Sequence, residues 1–188
     1  MSTRRHELIT IAADLFAAQG FAKVTVDDIG RAAGVSGPAL YHHFDGKEAM
    51  LGEMLVGISE YLLDGGRRVV AAGVEAGGDD VLERLIEFHA EFAVDDRSLI
   101  TVHFRDLLHA SVEDQARVRS LQNEYVDLWT TAMRRRFPEL PRARALAAVH
   151  ATFGLINSTP HSARLPRAAM LTLLTDMATS ALLTTFRS

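Results

Sequence analysis

Tyr41, His42 and His43 stand side by side, with Ser36 before them and Lys47 after. These residue types hydrogen-bond, stack or titrate, so their crowding calls for a chemical reading. Metal binding does not fit, because neighbours on a helix point to different faces and His42 and His43 cannot meet one ion. "GVSGP" resembles a fragment of the nucleophile elbow G-x-S-x-G, but the second Gly and a preceding strand are missing. The chain carries no HExxH, no P-loop, no Gly-rich dinucleotide turn and no defensible Ser/His/Asp order. The expectation is a protein that is not an enzyme, needs no cofactor and holds no metal. Its chemistry is then recognition by hydrogen bonds, stacking and charge.

Composition agrees with a soluble, cytoplasmic chain. Of 188 residues, 48% are hydrophobic, enough for a sizeable core. Cys is absent, which excludes disulfides and thiolate metal sites and makes a reducing cytoplasm the simplest home. No apolar run approaches the roughly 18 residues of a membrane span. The start, "MSTRRHELITIAADLF", has helical spacing rather than the pattern of a signal peptide. The net charge is -4, carried wholly by residues 48–188, while residues 1–47 are neutral. A polyanionic partner would therefore have to be attracted by locally placed cations, not by the global field.

The elements that position these side chains read as helices throughout, an all-α chain. Leu8, Ile11, Ala12, Leu15 and Phe16 form one apolar stripe, and Gly20 ends it. Thr25 caps a second helix, with Asp28 three residues on as a capping-box partner. Val26, Ile29, Ala32 and Ala33 face inward, and Gly34 stops the helix. Ser36 caps a third, "GPALYHHF", with Pro38 at its second position, where a missing N–H is no loss. The Ser36 hydroxyl must then accept from the Ala39 N–H. Leu40 and Phe44 face the core, leaving Gly37, Pro38, Tyr41 and His42 outside. A long fourth helix follows from Gly46, with Gly46, Gly52, Gly65 and Gly66 flanking it. Further helices are expected at roughly 80–94, 97–110, 112–137, 141–157 and 164–186, about nine in all.

Two helices joined by a short Gly-containing turn, the second brief and exposed, make a helix-turn-helix. Such a unit places the start of its second helix in the DNA major groove. An eight-residue helix is about 12 Å long, matching a groove about 12 Å wide.

"LFAAQGFAKVTVDDIGRAAGVSGPALYHHFDGKEAML" resembles the DNA-binding head of the tetracycline-repressor (TetR) family. The shared features are the Phe–x–x–x–Gly–Phe turn, the Thr-capped helix with Ile–x–x–x–Ala–Gly–Val–Ser, and Leu–Tyr–x–His–Phe–x–x–Lys–Glu. The resemblance implies a head at 1–47 and an effector-binding and dimerisation domain at 48–188. It implies that Thr25 holds a phosphate by its hydroxyl and N–H. Ser36, Gly37, Pro38 and Ala39 would face bases or backbone, Tyr41 and His42 would reach phosphate or bases, and Lys47 would clamp a phosphate. Arg4 and Arg5 would add phosphate contacts. Packing of Tyr41 on helix one is the plainer alternative. Many relatives carry Lys or Arg where Gly37 stands and Thr where Ala39 stands. Gly-Pro-Ala offers no side-chain hydrogen bond to a base, so a soft sequence preference per half-site is expected.

In the remainder, Phe88, Phe92, Tyr125, Trp129 and Met133 lie on apolar stripes at helical spacing. His89, His103 and Arg105 interrupt such stripes, and Asn157 closes "GLIN". These nine residues are the candidate effector pocket; satisfied core positions are the alternative reading for each. Phe104 is placed on the same stripes. The stretch after residue 97 is similar to regulators of lipid and acyl-CoA metabolism, implying an acyl-CoA or fatty-acid-like effector. Aromatic drugs, small lactones or an unliganded pocket stay open. The last two helices, one rich in small residues and one apolar nearly all round, imply a homodimer. Two heads would then read a palindromic double-stranded operator. Repression is the family's default, and effector release of the operator its implied logic.

Overall fold

A computed structural model describes residues 3–186 apart from 76, 78 and 79. Among the described residues there are nine α-helices of five residues or more and one isolated helical turn, with no strand. They fall into two units, Met1–Ser59 with Ser98–Arg119, and Glu60–Arg97 with Ser120–Ser188.

In the first unit α1 (Thr3–Gln19) buries Leu8, Ile9, Ala12, Ala13 and Phe16. The buried face is rotated slightly from the expected stripe, leaving Ile11 and Leu15 half-buried. α2 (Val26–Ala33) begins with the expected capping box: Thr25 Oγ1 accepts from the Asp28 N–H, and the Asp28 carboxylate accepts from the Thr25 N–H. Gly34 closes α2 with φ 66°, a left-handed conformation that costs a residue without Cβ little. Ile29 and Gly30 are buried, whereas Ala32 is exposed, contrary to the expected inward face.

α3 is only Gly37–Tyr41, five residues instead of the expected eight. The chain leaves the helix at His42 and tightens into a turn, with the His43 and Phe44 N–H groups both donating to Leu40 O. Leu40 and Phe44 both reach the core, at 0% and 3% exposure.

α4 (Lys47–Glu75) runs for 29 residues. Gly52, Gly65 and Gly66 lie inside it rather than flanking it, because neighbours press on the helix there. A Cβ on Gly65 would meet the Phe88 ring at 2.1 Å, and one on Gly66 the Tyr125 ring at 2.7 Å. α6 (Arg97–Asp106), the 3-10 turn Leu107–His109 and the first turns of α7 (Val112–Arg136) complete the first unit. Val102, Ala110 and Val118 join Met50, Leu51 and Leu55 in its core. The first unit therefore extends beyond the 1–47 stretch. Phe104, expected on an apolar core stripe, is 70% exposed, because Val102 and Asp106 hold the buried face of α6.

The second unit is built from α5 (Val81–Asp95), the rest of α4 and α7, α8 (Arg142–Ile156), the turn α9 (Thr159–Ser162) and α10 (Arg167–Thr179). A π-helical turn, Ser180–Thr184, continues α10. α10 packs chiefly on α5. Arg167 bridges Asp95 with two bonds of 2.6 and 2.5 Å, and Thr159 Oγ1 donates to Ala93 O at 2.6 Å.

Alanine normally stabilises a helix interior relative to glycine by roughly 0.5–1 kcal/mol. At Gly65 the sign should reverse: Gly65→Ala is expected to cost about 1–3 kcal/mol in urea unfolding, through overpacking against Phe88. An unchanged or raised midpoint would refute the close approach.

Candidate functional site

The exposed face of the head starts at Ser36, the N-cap of α3. Its hydroxyl accepts from the Ala39 N–H at 3.4 Å, as Pro38 at the second helical position requires. Pro38 and His42 are exposed, Ala39 is half-buried, and the Gly37 backbone opens the helix. Tyr41 is 58% exposed, so its ring does not disappear into α1. His43 is half-buried. An open hollow of about 470 Å³ brings Thr25, Tyr41 and Lys47 together with Asp27, Asp45 and Glu48.

The cations expected at phosphates also have partners inside the protein. Lys47 Nζ donates to Phe21 O and Val24 O, both at 2.9 Å, and sits 4.4 Å over the Phe21 ring. Arg4 donates to Ala33 O at 2.8 Å and to Glu7 at 2.7 Å. Arg5 grips Glu53 and the His43 carbonyl and lies 4.1 Å over the Phe44 ring. The bond to Glu53, opposed by partial desolvation, holds its guanidinium above the ordinary range. Thr25 is similarly engaged. Its hydroxyl and N–H both donate to the Asp28 carboxylate, at 2.6 and 3.0 Å, holding that carboxyl below its usual range. A phosphate can take either Thr25 donor only by displacing Asp28.

In the second unit His89 is the centre. It is 2% exposed, with Nδ1 3.1 Å from Tyr125 Oη and Nε2 3.1 Å from Asn157 Oδ1. If Nε2–H donates to the Asn157 oxygen, Nδ1 is left to accept from the Tyr125 hydroxyl, and a neutral imidazole satisfies both. Burial pushes His89 down to about 4, against the Asn157 bond, and pushes the Tyr125 hydroxyl up. Phe153 stacks on the imidazole at 4.7 Å, and Trp129 meets Phe153 edge-on at 5.0 Å. Phe92 adds an edge at 6.2 Å.

Four expected effector residues, His89, Tyr125, Trp129 and Asn157, thus meet, with Phe92 at the edge. Phe153 was missed; its signal was its place one helical turn before Asn157. Phe88 instead packs on Gly65 and Tyr61, and Met133 is fully buried. His103 and Arg105 fall in the other unit. Arg105 binds Asp106 and the carbonyls of Phe16 and Ala17 in the last turn of α1, the Phe16 carbonyl accepting from the Gly20 N–H as well. A cleft of about 640 Å³ also opens in the second unit, and none of the nine expected residues lines it.

Residues 8–54 match the family pattern of bacterial regulatory proteins, tetR family, and residues 67–161 that of a tetracyclin repressor-like C-terminal domain. The chain is 36% identical over 129 residues to the HTH-type transcriptional repressor KstR2 of Rhodococcus jostii (strain RHA1). That match spans 68% of this chain and 62% of the repressor's length. The fold is similar to a TetR-family transcriptional regulator from Bordetella parapertussis 12822, with TM-score 0.85, 24% identity, and 97% and 95% of the two chains covered. It is also similar to AibR, solved with isovaleryl coenzyme A and operator DNA. There the TM-score is 0.70 at 16% identity, over 93% of this chain and 97% of that one. At such identities the structural likeness is one of fold.

The His89 environment makes stability depend on pH. The unfolded imidazole titrates near 6.5 and the folded one near 4, so below neutrality the unfolded chain binds more protons. Stability should fall as pH drops from about 6.5 to 4, by on the order of 3 kcal/mol at most. Urea titrations at pH 7.5, 6 and 5 on the parent and His89→Phe test this: the variant's slope should be shallower, and equal slopes would refute the assignment.

Proposed function

The chain belongs to the tetR family of bacterial regulatory proteins, and from that premise we propose that it is a homodimeric, ligand-responsive repressor of transcription. Its relatives are transcriptional regulators, not enzymes. The observation that carries the reading is the exposed Tyr41–His42 face on a five-residue helix that packing of Leu40 holds in place. In this reading that face enters the major groove. Ser36, Gly37, Pro38 and Ala39 approach the base edges or backbone, and Tyr41 and His42 reach phosphate or bases.

Lys47, Arg4 and Arg5 have a double role in this reading: each braces the head and lies within the region that meets the phosphates. Thr25 offers a phosphate the start of α2, in competition with Asp28. Residues 1–47 form the DNA-reading part and 48–188 the effector and dimer part.

A second copy of the chain covers the outer faces of α8 and α10. The support is a run of small exposed residues, Ala143, Ala147, Ala151 and Gly154, and the exposed Leu173 and Met177. Two heads then read a palindrome. The effector is a small, largely apolar molecule, and the isovaleryl coenzyme A bound by AibR supports an acyl-CoA or fatty-acid-like one. The His89, Tyr125 and Asn157 groups supply its polar anchors once the stacked rings part. Release from the operator follows from a higher effector affinity for the DNA-incompetent state. Among the described residues no helix is long and apolar enough to cross a membrane, in keeping with a cytoplasmic regulator.

Selection from a random duplex library should return a palindrome with few invariant G·C pairs under α3. Against that site, Tyr41→Ala should weaken binding by about tenfold, roughly 1.4 kcal/mol, while the exposed ring leaves Tm unchanged. Enrichment of no sequence, or an unaffected Tyr41→Ala, would contradict the contact assignment.

A further inference from the structure

We propose that Asp28 and Arg31 together set how tightly the head holds DNA: Asp28 occupies the two Thr25 donors until a phosphate takes them, and Arg31 receives the displaced carboxylate. The inference rests on the phosphate role given to Thr25 under the proposed function and deepens it. The Asp28 carboxylate is divided between two partners. One oxygen, Oδ2, accepts from the Thr25 hydroxyl at 2.6 Å and from the Thr25 N–H at 3.0 Å. The other, Oδ1, accepts from Arg31 at 3.1 Å. A phosphate diester oxygen is an anion seeking the same donors, so Asp28 is its internal competitor. Hydrogen bonds to an ionised acceptor are roughly twice as strong as neutral ones, which makes that competition costly to the phosphate.

The helix start does not need the charge of Asp28. Its N–H donates to Thr25 Oγ1 at 3.1 Å, and a neutral amide oxygen at the same position also completes a capping box. The helix dipole favours an anion in the first turn, but Asp27 supplies one there as well. Asp27 borders the hollow shared by Thr25, Tyr41 and Lys47, yet it does not take the Thr25 donors. Arg31 stands three residues beyond Asp28, on the same side of α2, with its side chain 77% exposed. Its forked guanidinium can take a carboxylate with both oxygens. A side-chain rotation therefore carries Asp28 from Thr25 onto Arg31, and its charge is neutralised there instead of facing the phosphate. Phosphate contacts carry no sequence information, so the pair acts on all duplexes alike.

The test is fluorescence anisotropy of the full chain with a labelled random-sequence duplex library, a probe that requires no known operator. Asp28→Asn should tighten binding by about fivefold. Asp27→Asn removes the same charge from the same turn without freeing Thr25, and should tighten it by about twofold at most. Arg31→Gln should weaken the parent by about threefold and leave Asp28→Asn unchanged, because no charged carboxylate then needs a receiver. A direct phosphate contact by Arg31 would instead weaken both and lower the salt slope by about one. Tm is measured for every variant, and Asp28→Gln, another capping-box residue, replaces Asp28→Asn if that variant is less stable. Equal gains from Asp27→Asn and Asp28→Asn, or equal losses from Arg31→Gln in both backgrounds, would overturn the proposal while a DNA-binding parent upholds the proposed function. A parent that binds no duplex would overturn both.

Discussion

A helix of five residues cannot hold itself together, and α3 is such a helix. Nucleation costs more than so short a hydrogen-bonded ladder returns. α3 persists because Leu40 and Phe44 are locked in the core formed by α1, α2 and α4. The Ser36 cap orders its first turn, and the tight turn at His43 ends it. The outward projection of Tyr41 and His42 follows directly. Once Leu40 and Phe44 are committed inward, Tyr41 and His42 are left on the solvent face, while His43 is half-buried.

The same need to satisfy short helix ends explains where the head's cations go. Lys47 reaches two carbonyls around the Phe21–Lys23 turn, Arg4 the end of α2, Arg5 the His43 carbonyl, and Arg105 the end of α1. A neutral head could not attract a polyanion through net charge. What it has instead are cations ordered by backbone oxygens: Lys47 by those of Phe21 and Val24, and Arg4, Arg5 and Arg105 by carbonyls together with Glu7, Glu53 and Asp106. In the proposed reading, ordering them in advance would reduce the entropy lost when a phosphate binds.

The second unit shows the opposite handling of polarity. His89 sits among stacked rings as a neutral base, with one bond to a hydroxyl and one to an amide. A fully satisfied neutral relay can live in an apolar interior where a charge could not. The glycines of α4 serve that interior: Gly66 lets the Tyr125 ring lie against the helix backbone, so the network and α4 are in direct contact within the unit.

Local chemistry made much of this legible in advance. The capping box at Thr25, the Gly34 stop and the Ser36–Ala39 bond around Pro38 depend on side chains and backbone a few residues apart, so the sequence alone determined them. The all-helical class and the exposure of Tyr41 followed from periodicity. Other features needed the tertiary structure because they depend on contacts between residues far apart in the chain. Arg105 and His103 sit on stripes like that of His89, yet they fall in a different unit. Gly65 and Gly66 read as breaks until Phe88 and Tyr125 are seen pressing on them. The early end of α3 at Tyr41 was not encoded in the spacing, because Leu40 and Phe44 share one face of the five-residue helix and of the eight-residue one alike. Which cations hold carbonyls is set by distance through space, which spacing along the chain does not encode.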